Sequence, residues 1–221
     1  MNTISKSTRE LYQSLRSEVV GIHYRVRVLR QLFTSQETVD LLNKPAIRFF
    51  ITLKWDLMDT IAITISRLTD PQKSRNKYLN ASLPQLIDSI DAGARPQLVS
   101  SLKAIFTQIK AKSVRIENWR RKWAAHRDLE VIQGKTPKPA MSLPEIDEVL
   151  ALIRKFMNEY ENACQDPRVE INLYEKTAFE VKEIVENESL KIGSPTDYEN
   201  MVFQDDGNTI LNIIKRANSQ Q

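Results

Sequence analysis

The stretch Asn118-Trp119-Arg120-Arg121-Lys122-Trp123-Ala124-Ala125-His126-Arg127-Asp128 gathers the side chains best able to do chemistry. A guanidinium grips phosphate oxygens through a planar fork that an ammonium lacks. An imidazole exchanges protons near neutral pH. Arg120, Arg121 and His126 together match what metal-free cleavage of an RNA backbone requires. That reaction needs a proton acceptor for the 2′-hydroxyl, or a donor for the leaving oxygen, and cations to hold a crowded phosphorane. Its products are a 2′,3′-cyclic phosphate and a 5′-hydroxyl. Lys122 and Arg127 are further candidates for substrate contact. Asp128 either orients an Arg or His126, or forms a plain salt bridge.

Geometry sets the first condition. The spacing predicts that His126, seven residues after Trp119, shares its core-facing stripe at the helix end, half-buried yet reaching solvent. Ala124 and Ala125 leave room beside it. Arg120 and Arg121 lie six and five residues before His126. On a straight helix they point roughly 120° to 140° away from it. Two arrangements reconcile them. Either the helix bends or bulges here, or two copies join their motifs across a two-fold axis. A purely structural role competes with both: an interface histidine, with Arg127 and Asp128 pairing at a helix end whose dipole favours cations. Trp119 and Trp123 could stack bases, but their stripe favours core or dimer packing.

A second pair, Arg67 and Asp70, is three residues apart on one helix edge. It reads either as an intrahelical pair or as a support for the motif helix. His23 has no Asp, Glu or Cys at ligand spacing and reads as structural. Cys164, the single cysteine, reads as a core residue without basic neighbours, and forms no internal disulfide. With two histidines in the chain, no metal site and no cofactor are expected.

The elements that position these residues are helices. Leu15, Val19, Ile22, Val26, Leu29 and Phe33 alternate steps of four and three, which predicts one helix over Ser5–Phe33, capped by Ser7 or Thr8. Thr34–Lys44 reads as a connection of one or two turns. Pro45 then suits the first position of a helix over Ala46–Thr69. Its wide apolar face, including Ile47, Phe50, Ile51, Met58, Ile61 and Ile65, predicts a central helix covered on several sides. Gln72–Asn80 reads as loop, with no strand alternation. Ser82-Leu83-Pro84 opens a short helix. Arg95-Pro96 begins a third long one that runs to the motif, its stripe broken once at Lys112. Val131–Ala140 reads as exposed loop. Ser142-Leu143-Pro144-Glu145 starts a fourth helix with a capping box. Helical patterns over Tyr174–Glu188 and around Ile210–Ile214 are weaker.

The fold class expected is therefore all-α: an antiparallel helical bundle over residues 1–165, with a C-terminal helical extension over 166–221. That extension packs on the bundle, embraces a second subunit or stays partly mobile. Five glycines in 221 residues fit short connections between helices. A net charge of +4 and a pI near 9.1 are compatible with a nucleic-acid partner without requiring one. Charges interrupt the most apolar stretch, so no membrane span is expected, and the chain reads as cytoplasmic.

Arg-x4-His or Arg-x5-His at the end of a long helix in an all-helical bundle resembles the HEPN superfamily. Arg-Arg-Lys-Trp-Ala-Ala-His-Arg-Asp (120–128), with Ile65-Ser66-Arg67-Leu68-Thr69-Asp70 upstream, resembles its abortive-infection, AbiU-like branch. The resemblance covers about residues 5 to 165. It implies metal-independent RNA cleavage by a homodimer with a composite site, in phage defence or as a toxin. An antitoxin or regulatory protein would be a further partner. Where the family commonly has Asn, Asp or His after the motif arginine, this chain has Arg121 or Lys122. A non-catalytic module that binds RNA or a protein stands as the alternative. No Gly-rich phosphate loop or carboxylate cluster supports nucleotidyl transfer.

Overall fold

The computed structural model describes residues 5–74 and 78–164, apart from the side chains of 43–46. In chain order come α1 (Lys6–Phe33), α2 (Gln36–Leu68), β1 (Lys73–Ser74), β2 (Tyr78–Leu79), α3 (Leu83–Asp88), α4 (Pro96–Lys112), α5 (Val114–Trp119), a π turn (Arg120–Ala124), α6 (Leu129–Ile132) and α7 (Leu143–Cys164). The expected all-α class holds. No described helix is long and apolar enough to cross a membrane. The described residues divide into two units, 5–23 with 58–164 and 24–57.

In the larger unit the cap signals work much as the sequence implies. Ser82 accepts a hydrogen bond from the Gln85 N–H and starts α3. Glu145 Oε2 accepts from both the Ser142 N–H (2.9 Å) and hydroxyl (2.8 Å), which is the carboxylate half of a capping box at the start of α7. At α1 the cap falls on Ser5, whose hydroxyl accepts from the Thr8 N–H at 3.1 Å, rather than on Ser7 or Thr8.

Leu15, Val19 and Ile22 of α1, Ile61 and Ile65 of α2, Leu102 and Ile109 of α4, and Ile146, Ile153 and Phe156 of α7 are buried. Each such side chain contributes roughly 1.5–3 kcal/mol by leaving water. α4 and α7 run antiparallel: Arg95 at the start of α4 donates to the carbonyl of Ala163, and Lys112 at its end pairs with Glu148 at 2.8 Å. Tyr12 and Tyr160 stack with ring centroids 4.7 Å apart, and the Tyr12 hydroxyl donates to Glu161. Burial, then Glu161, pushes the Tyr12 phenol up.

The third long helix does not run unbroken to the motif. It stops at Lys112, and Ser113 turns its hydroxyl back to the carbonyl of Ile109 at 2.7 Å. A serine that bonds its own preceding turn competes with the helix ladder and bends it. Two further expectations hold only in part. Residues 72–80 hold an antiparallel ribbon, with Lys73 opposite Leu79 and Ser74 opposite Tyr78. The stretch after the motif opens with α6, because Asp128 caps it.

In the smaller unit, Leu32, Leu42 and Phe50 are buried, with Val28, Phe33, Leu41 and Leu53 packed against them. α2 begins at Gln36, so Pro45 lies inside a continuous helix rather than at its first position. The start moves because Ser35 supplies a cap, accepting from the Thr38 N–H at 3.1 Å. The apolar face expected to be covered on more than one side is partly open here: Ile47 and Ile51 are 47% and 48% exposed. The patterns expected over 174–188 and 210–214, and the extension they belong to, lie outside the described residues.

Candidate functional site

After Trp119 the helix changes pitch. Ala125 donates its N–H to the carbonyl of Arg120 at 2.8 Å, five residues back, so Arg120–Ala124 forms a π turn. A π turn holds nearly one extra residue per turn, so residues five apart are rotated less from one another than on an α-helix. That is the spacing of Arg121 and His126. The chain leaves the helix at Ala125, and the Asp128 N–H closes the end on the carbonyl of Lys122 at 3.1 Å.

The pitch change corrects the expectation for His126. It is exposed, not half-buried on the core stripe, whereas Trp119 is buried. Trp119 is held in place by its indole N–H, which donates to Asp59 Oδ1 at 2.7 Å. Of the two arrangements open from sequence, the bulge is present within a single chain. Arg120, Arg121, Ala125 and His126 all line one open cavity of about 580 Å³.

The cavity's other walls are Ser66, Thr69, Asp70 and Pro71 from the end of α2, and Lys110, Val114, Arg115, Glu117 and Asn118 from α4 and α5. Four permanent cations face two carboxylates, an excess that favours an anionic ligand. Most of these charges are already engaged. Lys110 pairs with Glu117, whose Oε1 also accepts from the Thr69 hydroxyl at 3.3 Å. Arg115 reaches Glu145 at 2.7 Å. Arg120 lies 3.8 Å from Asp70. Arg121 differs: it hydrogen-bonds the Asn118 side-chain oxygen at 3.3 Å and meets no carboxylate among the described residues.

Arg67 and Asp70 do not pair along α2. Arg67 bonds Glu18 of α1 instead. Asp70, beyond the helix end, faces the motif through Arg120. Burial pushes its carboxyl up, while Arg120 and then Lys110 pull it down. Lys122 and Arg127 are not among the residues lining the cavity. Arg127 lies over the Trp123 ring, 4.3 Å from its centroid. Asp128 Oδ1 accepts from the N–H groups of Glu130 (2.9 Å) and Val131 (3.3 Å), so its carboxylate caps α6.

His23 is half-buried on α1 and does not line the cavity. Cys164 has Arg95 and Arg9 near it, contrary to the sequence reading, yet burial raises its thiol. No group of His, Cys, Asp or Glu able to hold a metal occurs among the described residues. Sequence reasoning missed Lys110 and Glu117. Their spacing of seven, two helical turns, was the available signal.

An all-helical domain with a basic, histidine-edged cavity at the end of its motif helix is the class that fold and site define. Residues 5–183 match the HEPN AbiU2 family model, and the chain belongs to that family of HEPN domains related to abortive infection. No curated protein and no solved structure matches the chain.

Proposed function

We propose that the protein is an endoribonuclease that needs no metal, with Arg121 and Arg120 holding a backbone phosphate and His126 moving the proton. The observation that carries this reading is the π turn, which sets both arginines and His126 on one cavity. Arg121 takes the main phosphate-gripping role, because Asn118 holds its guanidinium without neutralising it. Arg120, tethered near Asp70, adds a second positive charge. His126 stands at the solvent-facing edge, able to accept the 2′-hydroxyl proton or to protonate the 5′-oxygen.

In this reading two chains pair, as the resemblance implies. Support comes from Leu129 (64%) and Ile132 (59%), apolar side chains exposed on α6 just after His126. Aliphatic groups so placed leave water when they meet a second protein surface, which favours association.

The test is incubation of purified protein with RNA in excess chelator. Cleavage ending in 2′,3′-cyclic phosphate, and lost in His126→Ala and Arg121→Ala, supports the reading. Cutting that persists in His126→Ala refutes it.

A non-catalytic RNA-binding role is the second reading. It is favoured by the His126 ring, which makes no hydrogen bond to any described residue that would fix its tautomer. Salt-dependent RNA binding without cleavage, retained in His126→Ala, would establish it.

A further inference from the structure

We propose that Trp123, with Lys138 and Arg127 stacked on its indole, forms a clasp that positions His126, making Trp123 and Lys138 positioning residues. The consequence for rate rests on the nuclease reading above; the placement of His126 does not.

His126 is held through its neighbours rather than through its own ring. On one side the Ala125 N–H closes the π turn onto Arg120. On the other, Arg127 lies with its guanidinium carbon 4.3 Å from the Trp123 centroid. Lys138 brings its ammonium to 3.7 Å from the same centroid and 5.4 Å from that of Trp119. Trp123 thus seats two cations, and one of them is the residue after His126. An indole face attracts cations more strongly than a phenyl or phenol face does.

The loop that delivers Lys138 is built to hold still. Lys138 lies between Pro137 and Pro139, whose rings limit backbone freedom. Pro139 and Met141 are buried and anchor the loop, and Val131 is buried on α6 before it. Trp119, fixed by Asp59, forms the floor. Burial lowers the Lys138 ammonium, with Asp59 opposing and Arg127 adding to the effect. That direction agrees with an ammonium packed on rings beside a second cation. The path from loop to imidazole is therefore Lys138, Trp123, Arg127, His126.

The chain's two histidines make the test direct, because proton NMR of the imidazole region shows two ring systems, assigned with His126→Ala. Lys138→Ala is expected to shift or broaden the His126 signal and leave that of His23 unchanged. It should lower kcat on RNA roughly tenfold, as a small misplacement of a catalytic group does, with KM within about twofold. Lys138→Arg should restore both, since a guanidinium also stacks on indole.

Lys138→Gln keeps most of the side-chain length and loses the charge, and serves if Lys138→Ala melts early. Trp123→Leu should reproduce its effect. A His126 signal unmoved in Lys138→Gln and Trp123→Leu overturns the clasp. If the unaltered chain cuts no RNA, the nuclease reading falls, and the NMR comparison still decides whether the clasp sets His126.

Discussion

The Ala125 N–H meets the carbonyl of Arg120 at 2.8 Å, one residue further back than an α-helix would place its acceptor. That single displaced hydrogen bond brings Arg121 and His126 toward one wall. Removing the extra residue should undo it. Deleting Ala124 is expected to convert the π turn to α-helix and rotate His126 away from the cavity. RNA cleavage should fall by about a hundredfold or more, with far-UV circular dichroism unchanged. Retained activity in the deletion would show that the turn does not matter.

The two arginines should separate in a salt titration of RNA affinity. Arg121→Ala is expected to weaken binding and lower the slope of log K against log salt by about one, as loss of one phosphate contact does. Arg121→Lys keeps the charge and loses the fork, so it should bind yet cut poorly. Equal cleavage by Arg121→Lys and the unaltered chain would rule out the bidentate role.

Asp70 gives a pH prediction. Burial raises its carboxyl above the unfolded value, so the folded chain binds this proton more tightly. Its contribution to stability is full below the unfolded pKa of about 3.9 and is lost as pH rises through the folded value. At neutral pH the carboxylate is a cost. The melting temperature of Asp70→Asn, relative to the unaltered chain, should therefore be higher at pH 7 than at pH 4. The same variant frees Arg120 from its 3.8 Å neighbour and should cut RNA more slowly. A melting difference that does not vary between the two pH values would sink the assignment.

Trp119→Phe tests the anchor under the motif. It removes the 2.7 Å hydrogen bond to Asp59 and leaves that half-buried carboxylate without it. Urea denaturation should show a loss of about 1–3 kcal/mol. A loss within experimental error would mean that water satisfies Asp59.

Ser142→Ala tests the start of α7. The hydroxyl bond to Glu145 is lost while the backbone one remains. The expected cost is about 1 kcal/mol, the usual worth of one hydrogen bond. Glu145 is held below the usual carboxylate range chiefly by the Ser142 hydroxyl. Its contribution is present above the unfolded pKa and fades as pH falls through the folded value. The cost of the variant should therefore shrink in acid.

Much of the larger unit is written locally. Leu98, Leu102, Ile105 and Ile109 repeat at helical spacing and are buried or nearly so. Ser82 and Ser142 announce their helices because a cap is a bond between residues three apart. The AbiU2 assignment, too, follows from residues legible in order along the chain.

Pro45 misled because a favourable first-turn residue does not forbid a helix from starting earlier, and Ser35 offers a cap of its own. Asp128 misled in the opposite way: two nearby backbone N–H groups claim a carboxylate that charge alone would assign to an arginine.

The sequence by itself determined that Arg120, Arg121 and His126 are available near the end of a helix, because side-chain type and helical period are local properties. Only the tertiary structure decided that they line one cavity. The change from four-residue to five-residue bonding at Arg120 comes directly after Trp119, whose indole is seated on Asp59 sixty positions away, and directly before the chain leaves toward α6. A difference of one residue per turn is worth too little in local preference to be read from the eleven letters of the motif.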